Sequence, residues 1–314
     1  MTMSPQGSGD PMNTPTESST NGPTNRPTNR PTNRPTKKSA PGGPRGSNVW
    51  AHVVLSIGGF IMVFPFLWQV VMSLSSTAEV TSVPPTFWPS ELRFDNYVEV
   101  FRQVPFLEQF WVSVRVTVTT VVGQVVLCSL AGYAFARMRF AASATIFAVM
   151  LSILMIPNQA YLIPQYQIVQ NLGWLDTVPG IVVPTIFSAF GTFLMRQFFV
   201  NLPDELEEAA RLDGANPFQI FWKVMLPLAR PSISALAIVT VLAAWNNLLW
   251  PLVVTSRAEH RTLSVGIASL NGQYVIDYPV MMAASLMAMA PILILFILMQ
   301  RRVIEGLAFS GLKG

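Results

Sequence analysis

The sequence predicts an all-α membrane protein with six transmembrane helices. Hydrophobic residues make up 51% of the 314 and charged residues only 11%, where a soluble domain typically carries about 25%. Windows without a single Asp, Glu, Lys or Arg recur along the chain, each near the about 20 residues that a helix needs to cross a bilayer core. Mean hydropathy is accordingly positive, +0.43. The net charge of +4 is parcelled out between the apolar windows. A nucleic-acid surface would gather it on one face, so that function is set aside.

Residues 1–48 are mostly Pro, Thr, Ser, Asn and Gly, with the run "PTNRPTNRPTNRPT". Such a segment cannot bury enough apolar surface to offset its ordering entropy, and a disordered tail is expected. Either the tail has no specific role or its Arg and Lys residues meet anionic lipid head groups. Residues 49–314 form the transmembrane domain, with spans near 50–73, 114–136, 142–164, 179–199, 231–254 and 279–300. The third window, 140–175, is too long for one helix. Pro157, Pro164 and the polar "NLGWLDT" predict that its second half leaves the membrane or lies on its surface. The segment 74–113 is rich in aromatics and prolines and reads as a folded cap. It suits an interfacial aromatic belt and a platform for an extracytoplasmic partner equally.

Orientation follows from Lys and Arg. With both termini cytoplasmic, fifteen of the twenty basic residues lie inside and five outside, while the acidic residues divide evenly. Without the tail the bias is nine to five in the same sense. This predicts a multi-pass membrane chain with the loop 200–230 in the cytoplasm.

That loop holds the one compact charged helix-turn, "EEAARLDGANP" at 207–217. Asn201 is expected as an N-cap, with Pro203 in the first turn and Asp204 and Glu205 favourably placed on the helix dipole. Leu206, Ala209 and Ala210 give a narrow apolar stripe. Asp213-Gly214 ends the helix through a left-handed glycine. Asn216 then caps a second helix with Pro217 at its first position, and Phe218, Phe221, Trp222 and Met225 form its apolar side. A tip of Ala and Gly permits close approach to another surface, while Glu207, Glu208, Arg211 and Asp213 can fix its orientation. The pattern fits a docking lever and an ordinary packed loop alike.

The stretch "EEAARLDGANPFQIFWKVMLPLARP", 207–231, resembles the EAA loop of ABC-importer permease subunits, matching at Glu208, Ala209, Ala210, Asp213, Gly214, Ala215, Leu226, Pro227 and Pro231. "AAWNNLLWPLVVT" with "RTLSVGIASLNGQY", 243–274, and "GLAFSGLKG", 306–314, are similar to the carbohydrate-uptake branch that includes the second maltose-transport permease. The resemblance covers about residues 50–314. It implies a type I importer permease fold, a coupling helix contacting the ATPase through Glu207, Glu208, Ala209, Ala210, Arg211, Asp213, Gly214, Ala215 and Phe218, and import of a sugar or oligosaccharide. The partners implied are a second homologous permease, two cytoplasmic ATPase subunits, an extracytoplasmic sugar-binding protein and membrane lipid, without nucleic acid. The chain itself has no phosphate-binding G-x-x-x-x-G-K-[ST] loop. No cofactor and no catalysis are therefore expected here, ATP and Mg being bound by the ATPases.

Polar residues inside spans face cavities or neighbouring helices. Those are Asn158, Gln159, Ser188, Thr192, Asn246 and Asn247. With Trp245, and with Tyr161 and Trp250 nearby, they form the candidate substrate path, since amides and aromatic faces suit a neutral sugar. Helix–helix hydrogen bonding is the other reading. No span carries a charge near its middle, which disfavours an ion relay. A self-sufficient secondary transporter and an importer of a phosphorylated polyol such as glycerol phosphate remain alternatives. Cys128 is expected to pack as a small hydrophobe, and His52 and His260 lie too far apart in sequence for a metal site.

Overall fold

The computed structural model describes residues 49–84, 86–271 and 277–311, with side chains up to 298. The expected disordered tail, 1–48, lies outside the described residues, as do all the side chains of "GLAFSGLKG". The chain divides into two compact units, Met1–Leu55 and Ser56–Gly314. The first contributes the opening turns of α1, and all other elements belong to the second.

The described residues contain helices and no strand. In order they are α1 (Val49–Ser73), α2 (Thr77–Val80), α3 (Asp95–Gln103), α4 (Phe106–Arg137), α5 (Ser143–Ser152), α6 (Leu162–Asn171), α7 (Val178–Val182), α8 (Ala189–Val200), α9 (Glu205–Leu212), α10 (Pro217–Ile220), α11 (Leu226–Leu228), α12 (Arg230–Trp245), α13 (Leu249–Val254), α14 (Leu263–Ser269) and α15 (Tyr278–Gly311). Three of them, α1, α4 and α15, are long and apolar enough to cross a membrane; counting each of three bent helix pairs as one crossing gives up to six.

The bends lie where the sequence supplies breakers. Ser143–Met155 turns by 100° into Asn158–Asn171 at Pro157, as the prolines foretold. Val178–Thr185 turns by 46° into Ala189–Val200. There Pro184 gives way to Ser188, whose hydroxyl accepts the Gly191 N–H as an N-cap. Pro217–Leu228 meets α12 at 76°. The continuous helix expected at 231–254 is instead broken after Trp245. Pro251 has no N–H to offer the carbonyl of Asn247 and its ring crowds that carbonyl, so α12 and α13 separate. The helix expected from 114 begins earlier, at Phe106.

α4 is the spine. Its first turns join a cluster with Val100, Trp245, Leu263, Val280 and Ala283. Val112 and Val116 join a second with Val169, Ile181, Trp250 and Val254. Cys128 and Tyr133 join a third with Met195, Phe199, Ile220, Phe221, Met225 and Leu236. Cys128 is fully buried, as expected of a packing residue. The crossing of α4 and α8 is closest at Gly132, where a Cβ would stand 2.7 Å from the Met195 Cβ and 2.9 Å from the Arg196 backbone nitrogen. By contrast, almost every apolar side chain of α1 is exposed, a surface that hydrocarbon or another protein must cover.

The segment 74–113 is folded, as expected of a cap. Ser76 and Glu79 close a capping box around α2. The Glu79 carboxylate also accepts the Ser90 hydroxyl at 2.5 Å and the Ser90 N–H at 2.8 Å. Those Ser90 and Ser76 hydrogen bonds hold its pKa down to about 2. Further along, Asp176 adopts a left-handed backbone, φ 58°. Its carboxylate accepts the N–H groups of Ser256 and Arg257. Burial pushes its pKa up, but those N–H bonds outweigh burial and hold the group below its ordinary value.

Two outcomes are expected. Gly132→Ala should lower the thermal transition of the detergent-solubilised protein by an overpacking cost of about 1–3 kcal/mol. Gly58→Ala, which meets nothing within 4 Å, should leave it unchanged. Because the Glu79 pKa is depressed on folding, its contribution is complete above the unfolded value of 4.5 and is gone once pH falls through about 2. The protection of the Ser90 amide, its exchange rate relative to that of an unstructured amide at the same pH, should therefore fall across that window, and Glu79→Gln should flatten the dependence.

Candidate functional site

Asp204 through Trp222 form a helix, a sharp turn and a second helix. α9 begins at Glu205, with Asp204 in the N-cap position and no side-chain cap bond. The N-cap expected at Asn201 is absent, because Asn201 closes α8 and spends its amide on the Gln197 carbonyl. Asp213 caps the end of α9. Gly214 then takes φ 82°, as the Asp-Gly pair predicts. The Gly214 N–H donates to the Arg211 carbonyl and the Ala215 N–H to the Ala210 carbonyl, a Schellman closure. Asn216 caps α10 in a box with Gln219, again as expected.

The apolar stripe of α9 faces outward: Leu206 and Ala209 are exposed, and Leu212 is 90% exposed. The residue turned inward on α9 is an acid, Glu207, 7% exposed. Its carboxylate accepts the Arg211 guanidinium at 2.7 Å and stands 3.4 Å from the Tyr133 hydroxyl of α4, which donates to it. The apolar side of the second helix is split as well. Phe221 and Met225 are buried, while Phe218 and Trp222 are exposed with ring centroids 6.0 Å apart. The split coincides with a π-helical turn at Phe221–Met225, which rotates the following side chains relative to α10.

Arg137, the last residue of α4, binds the hairpin to the spine. Its largely buried guanidinium donates to the carbonyls of Phe199 and Leu202 and pairs with Asp204. Arg196 of α8 donates to the Phe135 carbonyl and lies 4.5 Å over the Phe147 ring. A cleft of about 590 Å³ remains between the α4 terminus and the hairpin, lined by Arg137, Arg139, Asp204, Glu207, Glu208 and Arg211. The hairpin residues singled out in the sequence thus come together, with Glu208, Arg211, Asp213, Gly214 and Phe218 exposed, Ala210 and Ala215 half-buried, and Glu207 inside.

The candidate substrate-path residues do not form one cluster. Asn158 and Gln159 are exposed at the 100° bend, with the Tyr161 hydroxyl donating to Asn158. Ser188 caps α8, and Thr192 is buried with no partner for its hydroxyl. Trp245 and Trp250 are buried and donate their indole N–H groups to the carbonyls of Ala288 and Ile181. The Asn246 amide donates back to Leu242. Asn247 alone of the set lines a polar pocket, together with Thr120, Gln124, Thr185 and Thr240. Sequence reading passed over these four. The available signal was Thr117, Thr120 and Gln124, three and four residues apart on one face of an otherwise apolar helix. Among the described residues no His, Cys, Asp and Glu cluster could hold a metal.

Residues 46–307 match the family model of the binding-protein-dependent transport system inner membrane component. The chain is 37% identical over 268 residues to the arabinooligosaccharides transport system permease protein AraQ of Halalkalibacterium halodurans, covering 83% of this chain and 96% of that one. It is 33% identical over 274 residues to the sn-glycerol-3-phosphate transport system permease protein UgpE of Yersinia enterocolitica, covering 85% and 98%. Among solved structures, a bacterial ABC transporter involved in the import of the acidic polysaccharide alginate has a chain that superposes with a TM-score of 0.70 at 27% identity, over 81% of this chain and 95% of that one. The chain belongs to the family of binding-protein-dependent transport system inner membrane components, as a non-catalytic permease subunit of an ABC importer.

Proposed function

We propose that this permease subunit forms half of the translocation path for a sugar or oligosaccharide and is driven through the loop 200–230. Six crossings, three of them bent, make up the transmembrane domain 49–314, with the tail 1–48 and both termini in the cytoplasm. The positive-inside bias supports that orientation. The hairpin is then the coupling helix of a type I permease fold. It docks on a cytoplasmic ATPase through Leu206, Glu208, Ala209, Leu212, Asp213 and Phe218, while Glu207, through the Tyr133 hydroxyl, and Asp204, through Arg137, hold it to α4. Two ATPase subunits bind the ATP and Mg. A second, homologous permease occupies the other half of the path, and an extracytoplasmic binding protein delivers the cargo.

The observation that carries this reading is the division of labour in the hairpin. A loop packed for its own stability would turn Leu212 and Phe218 inward. Here they are 90% and 65% exposed, and an acid is buried in their place. An exposed apolar tip on a hairpin tied down by ionic bonds is built to be covered by a partner. Of the residues proposed for a polar path, Asn158, Gln159, Ser188, Thr192, Trp245, Asn246 and Asn247, the one that meets a pocket is Asn247.

Family membership sets aside the self-sufficient secondary transporter. The phosphorylated-polyol reading retains one observation, the likeness to a glycerol-phosphate permease, and ligand screening of the co-purified binding protein separates the two cargo classes.

Two variants test the coupling. Leu212→Asp, and separately Glu208→Ala with Gly214→Pro, should leave the chain in the membrane but deplete ATPase chains from a mild-detergent pull-down; undiminished recovery of ATPase would refute the docking surface. Arg137→Ala strands the carbonyls of Phe199 and Leu202, at about 1–3 kcal/mol. It should speed amide exchange across 200–213 and reduce transport per ATP hydrolysed, with ATPase still bound.

A further inference from the structure

We propose that the polar pocket between α4, α7 and α12 is a subsite for one hydroxyl-bearing edge of a neutral saccharide, read by Thr120, Gln124 and Asn247. This rests on the importer reading above and adds the class of cargo and the residues that select it.

The pocket lies in the apolar middle of α4, where an unmet polar group is costly. Thr120 is 3% exposed and lines it, and its hydroxyl has no hydrogen-bond partner among the described residues. A helical Thr ordinarily satisfies its hydroxyl on the carbonyl one turn back, as Thr185 and Thr255 do here. Leaving such a group unmet costs about 1–3 kcal/mol, a cost that a bound hydroxyl or water would remove. Gln124 is held rigidly. Its amide N–H donates to the Thr185 carbonyl at 2.8 Å, and its oxygen accepts the Thr240 hydroxyl at 2.9 Å. One amide hydrogen and one lone pair remain for a ligand. The half-buried Asn247 side chain makes no hydrogen bond among the described residues, and it stands beside the exposed Ala243 at the mouth.

Size and charge narrow the ligand. The volume of about 130 Å³ has room for several waters but falls well below the roughly 300 Å³ of a site that encloses a whole ligand. The pocket therefore takes an edge, such as a hydroxymethyl group or a diol. No Arg or Lys lines it, so a phosphate would be stripped of water without compensation, whereas donors and acceptors in near-equal number match hydroxyls, which are both.

The test uses the intact complex of this chain with its co-purified permease, ATPases and binding protein in lipid nanodiscs. Thr120→Cys is treated with methyl methanethiosulfonate and modification is read on this chain by mass spectrometry, the buried Cys128 serving as internal control. Arabinotriose or lactose at about ten times its binding constant should slow modification about tenfold, and sn-glycerol 3-phosphate should not. Thr120→Val should cut uptake of the protecting sugar about tenfold, with the variant chain still recovered in the full complex. No modification in any nucleotide state would mean a sealed packing gap and would overturn the subsite. Equal modification rates with every solute would reduce it to a water-filled gap, and protection by the phosphate ester alone would reverse the cargo class. A purified complex lacking ATPase activity before any labelling would instead bring down the importer reading, and this subsite with it.

Discussion

Everything in this fold hangs on the approach of α4 to α8 at Gly132. With no side chain there, the Met195 and Arg196 backbone comes within van der Waals reach of α4. Close backbone approach is how helices associate where the hydrophobic effect offers little, because lipid is as apolar as the side chains it would replace. That crossing sets the position of the Phe199 and Leu202 carbonyls, and these in turn receive Arg137. A side chain at position 132 would push α8 outward and leave the guanidinium without its acceptors.

Arg137 and Glu207 are a pair of buried charges from different elements, each satisfied by a partner that belongs to the hairpin or to the spine. Buried ion pairs add little net stability, but removing one partner is costly. Their effect is on geometry. The hairpin has one seating on α4, fixed from both ends, while its apolar tip stays outside. If the hairpin is the coupling helix, moving it would move α4, because the Arg137–Asp204 pair and the Tyr133–Glu207 hydrogen bond would have to break for it to slide alone.

Much of this was legible in the sequence. Charge-free windows marked the apolar helices, Pro157 marked the 100° bend, and Asp213-Gly214 and Asn216-Pro217 marked the turn between α9 and α10. The misses have one physical origin, which is that periodicity cannot say which way a short helix faces. The stripe of Leu206 and Ala209 carried no sign of its direction, and a tertiary contact from Tyr133 turns Glu207 inward and leaves the stripe outside. The second helix was read with uniform α spacing, and the π turn at Phe221–Met225 divided its aromatics between core and surface. Asn246 and Asn247 were placed inside a continuous helix because the effect of Pro251 reaches back four residues to a carbonyl. Thr120 and Gln124 went unremarked because neutral polar residues hardly interrupt an apolar window, although inside a membrane they matter most.

The same spine joins the two functional regions. Thr120 and Tyr133 stand thirteen residues apart on α4, about 20 Å along a helix at 1.5 Å per residue, and no proline interrupts α4. On the proposed coupling, a rod of that length would carry a push on the hairpin to the polar pocket as a shift of Thr120 and Gln124 against α7 and α12. The departures from regular α geometry lie elsewhere, at the π turn and at the 76° bend before α12. Thr240 sits on the far side of that break from the hairpin, yet it is bonded to Gln124 of the spine. The pocket is therefore walled by one element that follows the hairpin directly and one that follows through a hinge, and relative motion of those walls is what would open or close it.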